Sequence, residues 1–286
     1  MNPTQRQVSR PDAPVDPHEP VDIAVYRRAF TDHILADDPP PAARRWRLRR
    51  FDRGLKLAGE IEARIGPLAG RGILEIGTAH GGDLCALAAA GARCVGIDKY
   101  DHRYGELIAR VPDRLRVVRT DCTADWPFAD HSFDVVISFS VIELVGDLDR
   151  FFRELVRVLK PGGVALVDTG TALRMVRNDA IYHLPLVSLF PTPVRRFIAE
   201  RIFGRRYHLP LADHTFYTAG TIKRFVARYG CTVIPSTYRC NRWIDRVSRW
   251  PASRIWRRII RYLMFDFVLI VAGGDHPSGR RDLAAG

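Results

Sequence analysis

A strand-like run ending in an acid, Ile73-Leu74-Glu75-Ile76, passes into Gly77-Thr78-Ala79-His80-Gly81-Gly82 before a helical stretch begins. Small residues in such a turn permit positive φ and let a ligand approach the backbone, which a side chain would hold off. Gly77, Ala79 and Gly82 satisfy the G-x-G/A-x-x-G of dinucleotide binders. Asp98 ends the next apolar run 21 residues after Gly77, close to the spacing at which an acid takes ribose hydroxyls. These residues predict ribose recognition and leave open what the ribose carries. For removing a proton near neutrality, the candidates are His183, His208 and His214, the last with Tyr217 close by. An unperturbed imidazole, at a pKa of ~6.5, suits that task. His214 is preferred as the catalytic base because it follows an inserted segment and should face the strand ends, whereas His80 is read as a loop residue.

The elements that must position these residues alternate. Strands are expected at Gly72–Ile76, Arg93–Ile97, Leu115–Arg119, Phe133–Ser138 and Gly163–Asp168, with helices at Asp83–Ala90, Tyr104–Ile108 and Leu148–Leu159 between them. Alternation of this kind predicts an α/β fold: a doubly wound, mostly parallel seven-stranded sheet with helices on both faces. Ligands in such sheets lie beyond the carboxyl ends of the strands, where the strand order reverses. After the fifth strand the pattern breaks into an apolar, basic, Pro-containing stretch, 171–212, read as an inserted helical cap. A helix at Ala219–Tyr229 and strands at Thr232–Thr237 and Phe265–Ala272 resume it, around a basic helical insertion, 239–263. Residues 1–42 read as an irregular leader, rich in proline, with one helix near Ala24 to Leu35. The core domain is placed at 43–272 and a tail at 273–286.

Over roughly Ala43 to Asp168, and again from His214 to Ala272, the chain resembles the class I S-adenosylmethionine-dependent methyltransferases. The resemblance rests on the E-x-G-x-(G/A)-x-G form at Glu75, Gly77, Ala79 and Gly81, on Asp98, and on Asp121 after the third strand. It continues through Phe133-Asp134-Val135-Val136-Ile137-Ser138, Leu159-Lys160-Pro161-Gly162-Gly163 and Phe216-Tyr217-Thr218. It implies S-adenosylmethionine as cofactor. Glu75 would organise the loop near the methionine moiety, lined by Gly77, Ala79 and Gly81. Asp98 would hold the ribose hydroxyls, Asp121 the adenine amino group and the Cys122 backbone the ring edge, with Ser138 under the sulfonium. Two departures stand out: Ala79 replaces the usual middle glycine, and Leu144 follows Glu143 where many relatives have histidine, which weakens a metal or base role there.

Composition narrows the acceptor. The net charge of +12 belongs to the C-terminal part, where from Leu173 to Gly286 nineteen arginines and one lysine stand against seven acids. Such asymmetry points to an acidic partner or surface. No N/D-P-P-Y/F motif follows the fourth strand, which continues Ser138-Phe139-Ser140-Val141, and no Pro-Cys pair exists. Both absences argue against nucleic-acid bases as targets and leave a small-molecule or lipid-like acceptor. The cap residues Leu184, Leu186, Val187, Leu189, Phe190, Phe197 and Phe203 suggest an apolar chamber for it. Between Ala252 and Leu263, Ile255, Trp256, Ile259, Ile260 and Leu263 fall on one helical face and Arg254, Arg257, Arg258 and Arg261 on the other, the pattern of an interfacial helix at an anionic membrane. The five cysteines are scattered with no C-x-x-C pair, so no metal is expected. With no spanning run and no signal-peptide core, a cytoplasmic protein is expected, with peripheral membrane contact. The competing readings are a nicotinamide oxidoreductase sharing the glycine turn, and a non-catalytic protein binding membrane or nucleic acid on the same scaffold.

Overall fold

Parallel strands buried on both faces read as near-continuous apolar runs, and the five central runs of this chain pair in that way. The computed structural model describes residues 6–8, 22–168, 184, 186–187, 190–204, 219–236 and 267–271. In chain order the elements are β1 (Arg6–Val8), α1 (Ile23–Ala36), α2 (Pro41–Ile65), β2 (Gly72–Ile76), α3 (Gly82–Ala89), β3 (Arg93–Asp98), α4 (Tyr104–Ile108) and β4 (Leu115–Arg119). There follow β5 (Phe133–Ser138), α5 (Leu148–Val158), β6 (Leu159–Asp168), α6 (Thr192–Phe197), α7 (Ala219–Ala227), β7 (Thr232–Ser236) and β8 (Phe267–Val271). One sheet runs β1-β4-β3-β2-β5-β6-β8-β7. The strands from β4 to β6 are mutually parallel, and β8 lies antiparallel between β6 and β7.

β2 is the pivot. It pairs with β3 on one side and β5 on the other, so the chain winds outward in both directions from the β2–β5 boundary. Sheets of this topology bind ligands beyond the carboxyl ends of such strands, and Glu75, the glycine turn and Ser138 all lie at that end. Alternate side chains feed two cores. Ile73, Val135 and Ile137 pack with Phe30, Phe51 and Leu84 from α1, α2 and α3. Leu74, Ile76 and Val136 pack with Phe151, Phe152 and Ile222 from α5 and α7. Helices therefore cover both faces, as the alternation predicted.

Two departures from the expected fold have local causes. Among the described residues the sheet has eight strands rather than seven, because Arg6–Val8, inside a leader expected to be irregular, pairs antiparallel with the outer edge of β4. Three residues carry no readable period, and the unpaired backbone groups of an edge strand recruit them. Second, the strand expected at Gly163–Asp168 starts earlier: β6 begins at Leu159 and runs through Pro161-Gly162-Gly163. The pairing advances from Phe133↔Leu159 to Val135↔Val164, so the extra residues form a bulge within the ladder. Gly162 takes φ +74° there, and a Cβ on Gly163 would lie 2.8 Å from the Lys160 carbonyl oxygen.

α2 is ended by Gly66 at φ +81° followed by Pro67, and it presses on α3 at Gly54, where a Cβ would meet that of Ala86 at 2.6 Å. The close approach brings the arginines beside Gly54 up to the first turn of α3. Of the expected cap only residues 184, 186–187 and 190–204 are described; the basic insertion 239–263, with the interfacial helix, lies outside the described residues.

Candidate functional site

The turn after β2 is held from three sides. The Gly77 N–H donates to the Ile97 carbonyl at 2.8 Å and the Gly81 N–H to that of Thr78 at 3.0 Å. Gly77 takes φ +71°, and a Cβ there would lie 2.4 Å from Val141 Cγ2, so only glycine fits. Ala79, replacing a glycine, is left-handed at φ +50°. A side chain in that region costs roughly 1–2 kcal/mol. Two bonds hold it: its N–H donates to Asp98 Oδ2 at 2.8 Å, and its carbonyl accepts from the Tyr104 hydroxyl.

Asp98 is thus a pivot of the site. Its second oxygen, Oδ1, accepts from the Tyr100 N–H at 2.9 Å, so one carboxylate ties the end of β3 to the glycine turn. Each oxygen keeps a further lone pair for a ligand hydroxyl. Around its rim Tyr100, His102 and Tyr104 form an aromatic cluster that also touches His80, whose ring centroid is 4.8 Å from that of His102. Burial, then Arg47 and His102, push the His80 imidazole down to about 4, so near neutrality it is uncharged.

Glu75 is buried, and its Oε2 has no hydrogen-bond partner. Burial first, then the charge of Asp83, push its carboxyl up to about 8. The neighbouring charges come from α2 and α3: Arg50 lies 3.9 Å from Glu75 and 2.8 Å from Asp83, while Arg53 bonds Asp83 through Nε at 2.8 Å and through Nη2. Asp98 adds a smaller upward push. At the matching end of β5, one register step away, the Ser138 hydroxyl is buried with no partner either. Buried polar atoms are normally satisfied, so an orphaned carboxyl oxygen and an orphaned hydroxyl at adjacent strand ends fit a ligand carrying polar groups.

The Glu75 shift has a testable consequence. Its pKa is raised in the folded state, so the native chain holds a proton that the unfolded chain releases near 4.5. The stability from that proton is complete below about 4.5 and is lost as pH rises to about 8. Glu75→Gln is expected to melt with a flatter pH dependence, gaining on the parent by at least ~1.4 kcal/mol across that window. Parallel slopes for the two proteins would show that Glu75 is ionised throughout.

The remaining expected residues are placed less centrally. Asp121 is exposed, and its Oδ1 accepts from both the N–H and the hydroxyl of Thr123, a local turn. The Cys122 carbonyl accepts from Trp126 Nε1 at 3.1 Å, and burial pushes its thiol up to about 12, which leaves it inert as a nucleophile. His214 lies outside the described residues, as do His183, Leu189, His208 and Tyr217. Arg50, Arg53, Asp83 and Tyr104 went unremarked in the sequence; the readable signal was the i, i+3 pair Arg50 and Arg53 flanking the apolar stripe of α2. The cap residues divide: Leu184 and Val187 pack on Ala199, but Leu186, Phe190, Phe197 and Phe203 face solvent, so they do not enclose a chamber among the described residues.

Residues 74–167 match the family model described as a methyltransferase domain. A probable S-adenosylmethionine-dependent methyltransferase of Mycolicibacterium smegmatis is 40% identical over 102 residues, 35% of this chain and 38% of that protein. A demethylmenaquinone methyltransferase of Clavibacter sepedonicus is 42% identical over 102 residues, 35% of this chain and 41% of its own length. The chain thus spans about two fifths of these relatives. Among solved structures, a putative sarcosine dimethylglycine methyltransferase from Galdieria sulphuraria aligns at a TM-score of 0.48 and 18% identity, covering 80% of this chain and 88% of that one.

Proposed function

We propose, from the premise that this chain belongs to the class I S-adenosylmethionine-dependent methyltransferases, that it transfers a methyl group to a small, apolar or lipid-like acceptor. The observation that carries the reading is Asp98, a carboxylate at the end of β3 fixed by the Ala79 and Tyr100 amides beside an unsatisfied Glu75. The cofactor is S-adenosylmethionine, whose sulfonium supplies an electrophilic methyl group on a good leaving group. In this reading Asp98 binds the ribose hydroxyls, while Glu75, with Gly77, Ala79 and Gly81, receives the methionine end. Ser138 lies beneath the sulfonium. Asp121 takes the adenine amino group through Oδ2, since its turn bonds both go to Oδ1, and the Cys122 backbone takes the ring edge. The methyltransferase unit in this reading runs over 43–272.

The chain's own task is alignment and exclusion of water, an effect worth ~7 to 11 kcal/mol for well-oriented groups. In this reading Glu75 and Ser138, buried near the ends of β2 and β5, help to keep bulk solvent from the reacting region, and their burial supports it. A base adds roughly 10²- to 10⁴-fold when the acceptor must lose a proton. His214 is proposed for that role. The acceptor class is supported by the demethylmenaquinone methyltransferase among the relatives and by the apolar character of the cap sequence. Peripheral contact with an anionic membrane is part of the reading, and among the described residues no helix is long and apolar enough to cross one.

Calorimetry with S-adenosylhomocysteine and with NAD, followed by methyl-transfer assays on quinone and sterol acceptors in detergent micelles, tests this. Tight S-adenosylhomocysteine binding and transfer to one such acceptor, reduced in His214→Gln through kcat rather than KM, is the expected result. Binding of NAD in preference, or cofactor binding without transfer to any apolar acceptor, would overturn it.

A further inference from the structure

Residues 190–204 show an inverted distribution of polarity. On α6 and the π-helical turn that continues it, Ile198–Ile202, the positions turned inward are Arg195, 3% exposed, and Ala199, fully buried. The large apolar side chains turn outward: Phe197 is 60% exposed and Ile202 63%. Val194 and Phe197 lie one turn apart on α6, Phe190 stands just before the helix, and Leu186 and Phe203 flank it on either side, all exposed. Burial of apolar area normally orients such a helix the other way, at 1.5–3 kcal/mol for each large side chain. Scattered exposed apolar residues are ordinary, whereas six on one short segment mark a contact surface.

The charge of the segment narrows the partner. On the described part of the segment Arg196 and Arg201 are exposed and Glu200 is half-buried, while Arg195 is turned inward. Arg196 is 69% exposed by side chain and holds Glu200 at 3.0 Å, and the segment keeps a net positive charge. A face that is apolar at its centre and cationic at its margins is complementary to an anionic lipid surface, with aromatic side chains at headgroup depth and guanidinium groups among phosphates.

We propose that the outer face of residues 186–204 docks the protein on an anionic bilayer, through Leu186, Phe190, Val194, Phe197, Ile202 and Phe203, with Arg196 and Arg201 as the electrostatic margin. The docking rests on the lipid-like acceptor reading only for its purpose, since the surface itself is a separate observation. It gives the segment after β6 a role other than enclosing the acceptor: it meets the medium in which an apolar acceptor is dissolved. None of these residues belongs to β2, β3, β5 or the glycine turn, which carry the candidate cofactor residues Glu75, Gly77, Ala79, Gly81, Asp98 and Ser138.

Flotation of the full chain with vesicles of phosphatidylcholine alone, and of phosphatidylcholine mixed with phosphatidylglycerol, tests the proposal. The parent is expected to float with the mixed vesicles and to be released by high salt. A Phe197→Ser, Phe203→Ser variant, shown to be folded by unchanged S-adenosylhomocysteine binding, should lose at least about tenfold in vesicle affinity. An Arg196→Gln, Arg201→Gln variant should lose about tenfold on the mixed vesicles and nothing on neutral ones. Equal flotation of parent and apolar variant overturns the proposal. So does a parent that fails to float but sediments as a dimer that the apolar variant dissociates, which would make this face a contact between two copies. Methyl transfer in detergent micelles is measured in parallel: transfer retained without flotation overturns the docking alone, and flotation without transfer leaves the docking standing while the acceptor reading fails.

Discussion

Asp83→Asn is expected to lower the free energy of unfolding by about 3 kcal/mol, or roughly 10 °C in melting temperature for a chain of this size. Asp83 is fully buried in the first turn of α3, where it accepts from Arg53 and pairs with Arg50 at 2.8 Å. Removing one partner of a buried pair costs ~3–5 kcal/mol, because the charge left behind has given up its water. Here two guanidinium groups remain, with side chains 12% and 23% exposed, and their partial access to water places the cost at the low end. The helix also loses a negative charge near its N-terminus, a smaller contribution of ~0.3–1 kcal/mol. A control sets the scale: Asp149→Asn, which breaks the exposed pair of Asp149 with Arg228 at 3.1 Å, should cost less than ~1 kcal/mol. The Asp83→Asn protein should also show a smaller Glu75 effect, since Asp83 is the second cause of the upward Glu75 shift. Thermal and urea unfolding of both variants, with and without Glu75→Gln, checks the two claims. Similar losses for Asp83→Asn and Asp149→Asn would mean that the α2–α3 cluster is solvated and contributes little.

The second large effect is on cofactor affinity. Asp98→Ala should weaken S-adenosylhomocysteine binding by about 100-fold or more in a chain that remains folded. A charged hydrogen bond is worth roughly 1.5–3 kcal/mol, or ~10- to 150-fold. The structure places the loss near the top of that range, because the same carboxylate also holds the Ala79 amide at 2.8 Å and the Tyr100 amide at 2.9 Å. Without it the left-handed Ala79 loses one of its two restraints, and the glycine turn must be ordered at the expense of binding. Asp98→Asn is not a rescue: one of the two backbone N–H groups would then face an NH₂ donor. Two contributions to the loss can be separated with a cofactor lacking the ribose 2′-hydroxyl. If Asp98 binds the ribose, the parent loses affinity for the deoxy ligand while the Asp98→Ala protein, already deprived of that bond, does not. Equal sensitivity of both proteins would confine Asp98 to holding the loop and move ribose recognition elsewhere.

Much of the fold was legible along the chain. Alternating apolar runs and helical periods identified β2 to β6, the helices between them and the strands β7 and β8, though not the antiparallel pairing of these last two, because each such element must bury one face locally whatever its neighbours do. Glu75, Gly77, Ala79, Gly81 and Asp98 were equally readable, since a glycine turn and a strand-end acid are short-range requirements of backbone geometry. The site's electrostatics were not. Arg50 and Arg53 lie about thirty residues from Asp83 in sequence, and nothing in their local pattern says that α2 crosses α3 closely enough for them to pair with it. Their contact exists because Gly54 and Ala86 let the two helices approach. β1 likewise depends on an edge that exists only once the sheet has formed.

For the cap the division is sharper. Its apolar composition was plain from Leu184 to Phe203, but composition cannot distinguish an enclosed face from an outward one. Only the packing of Leu184 and Val187 on Ala199, with Phe190, Phe197 and Phe203 left facing solvent, separates a small internal cluster from an exposed surface. The sequence by itself determined the sheet, the glycine turn and the acid that serves it, because those follow from period and backbone geometry within a few residues. Tertiary structure alone decided which charges surround Glu75 and which way the cap turns its apolar side, because both depend on how distant helices come together.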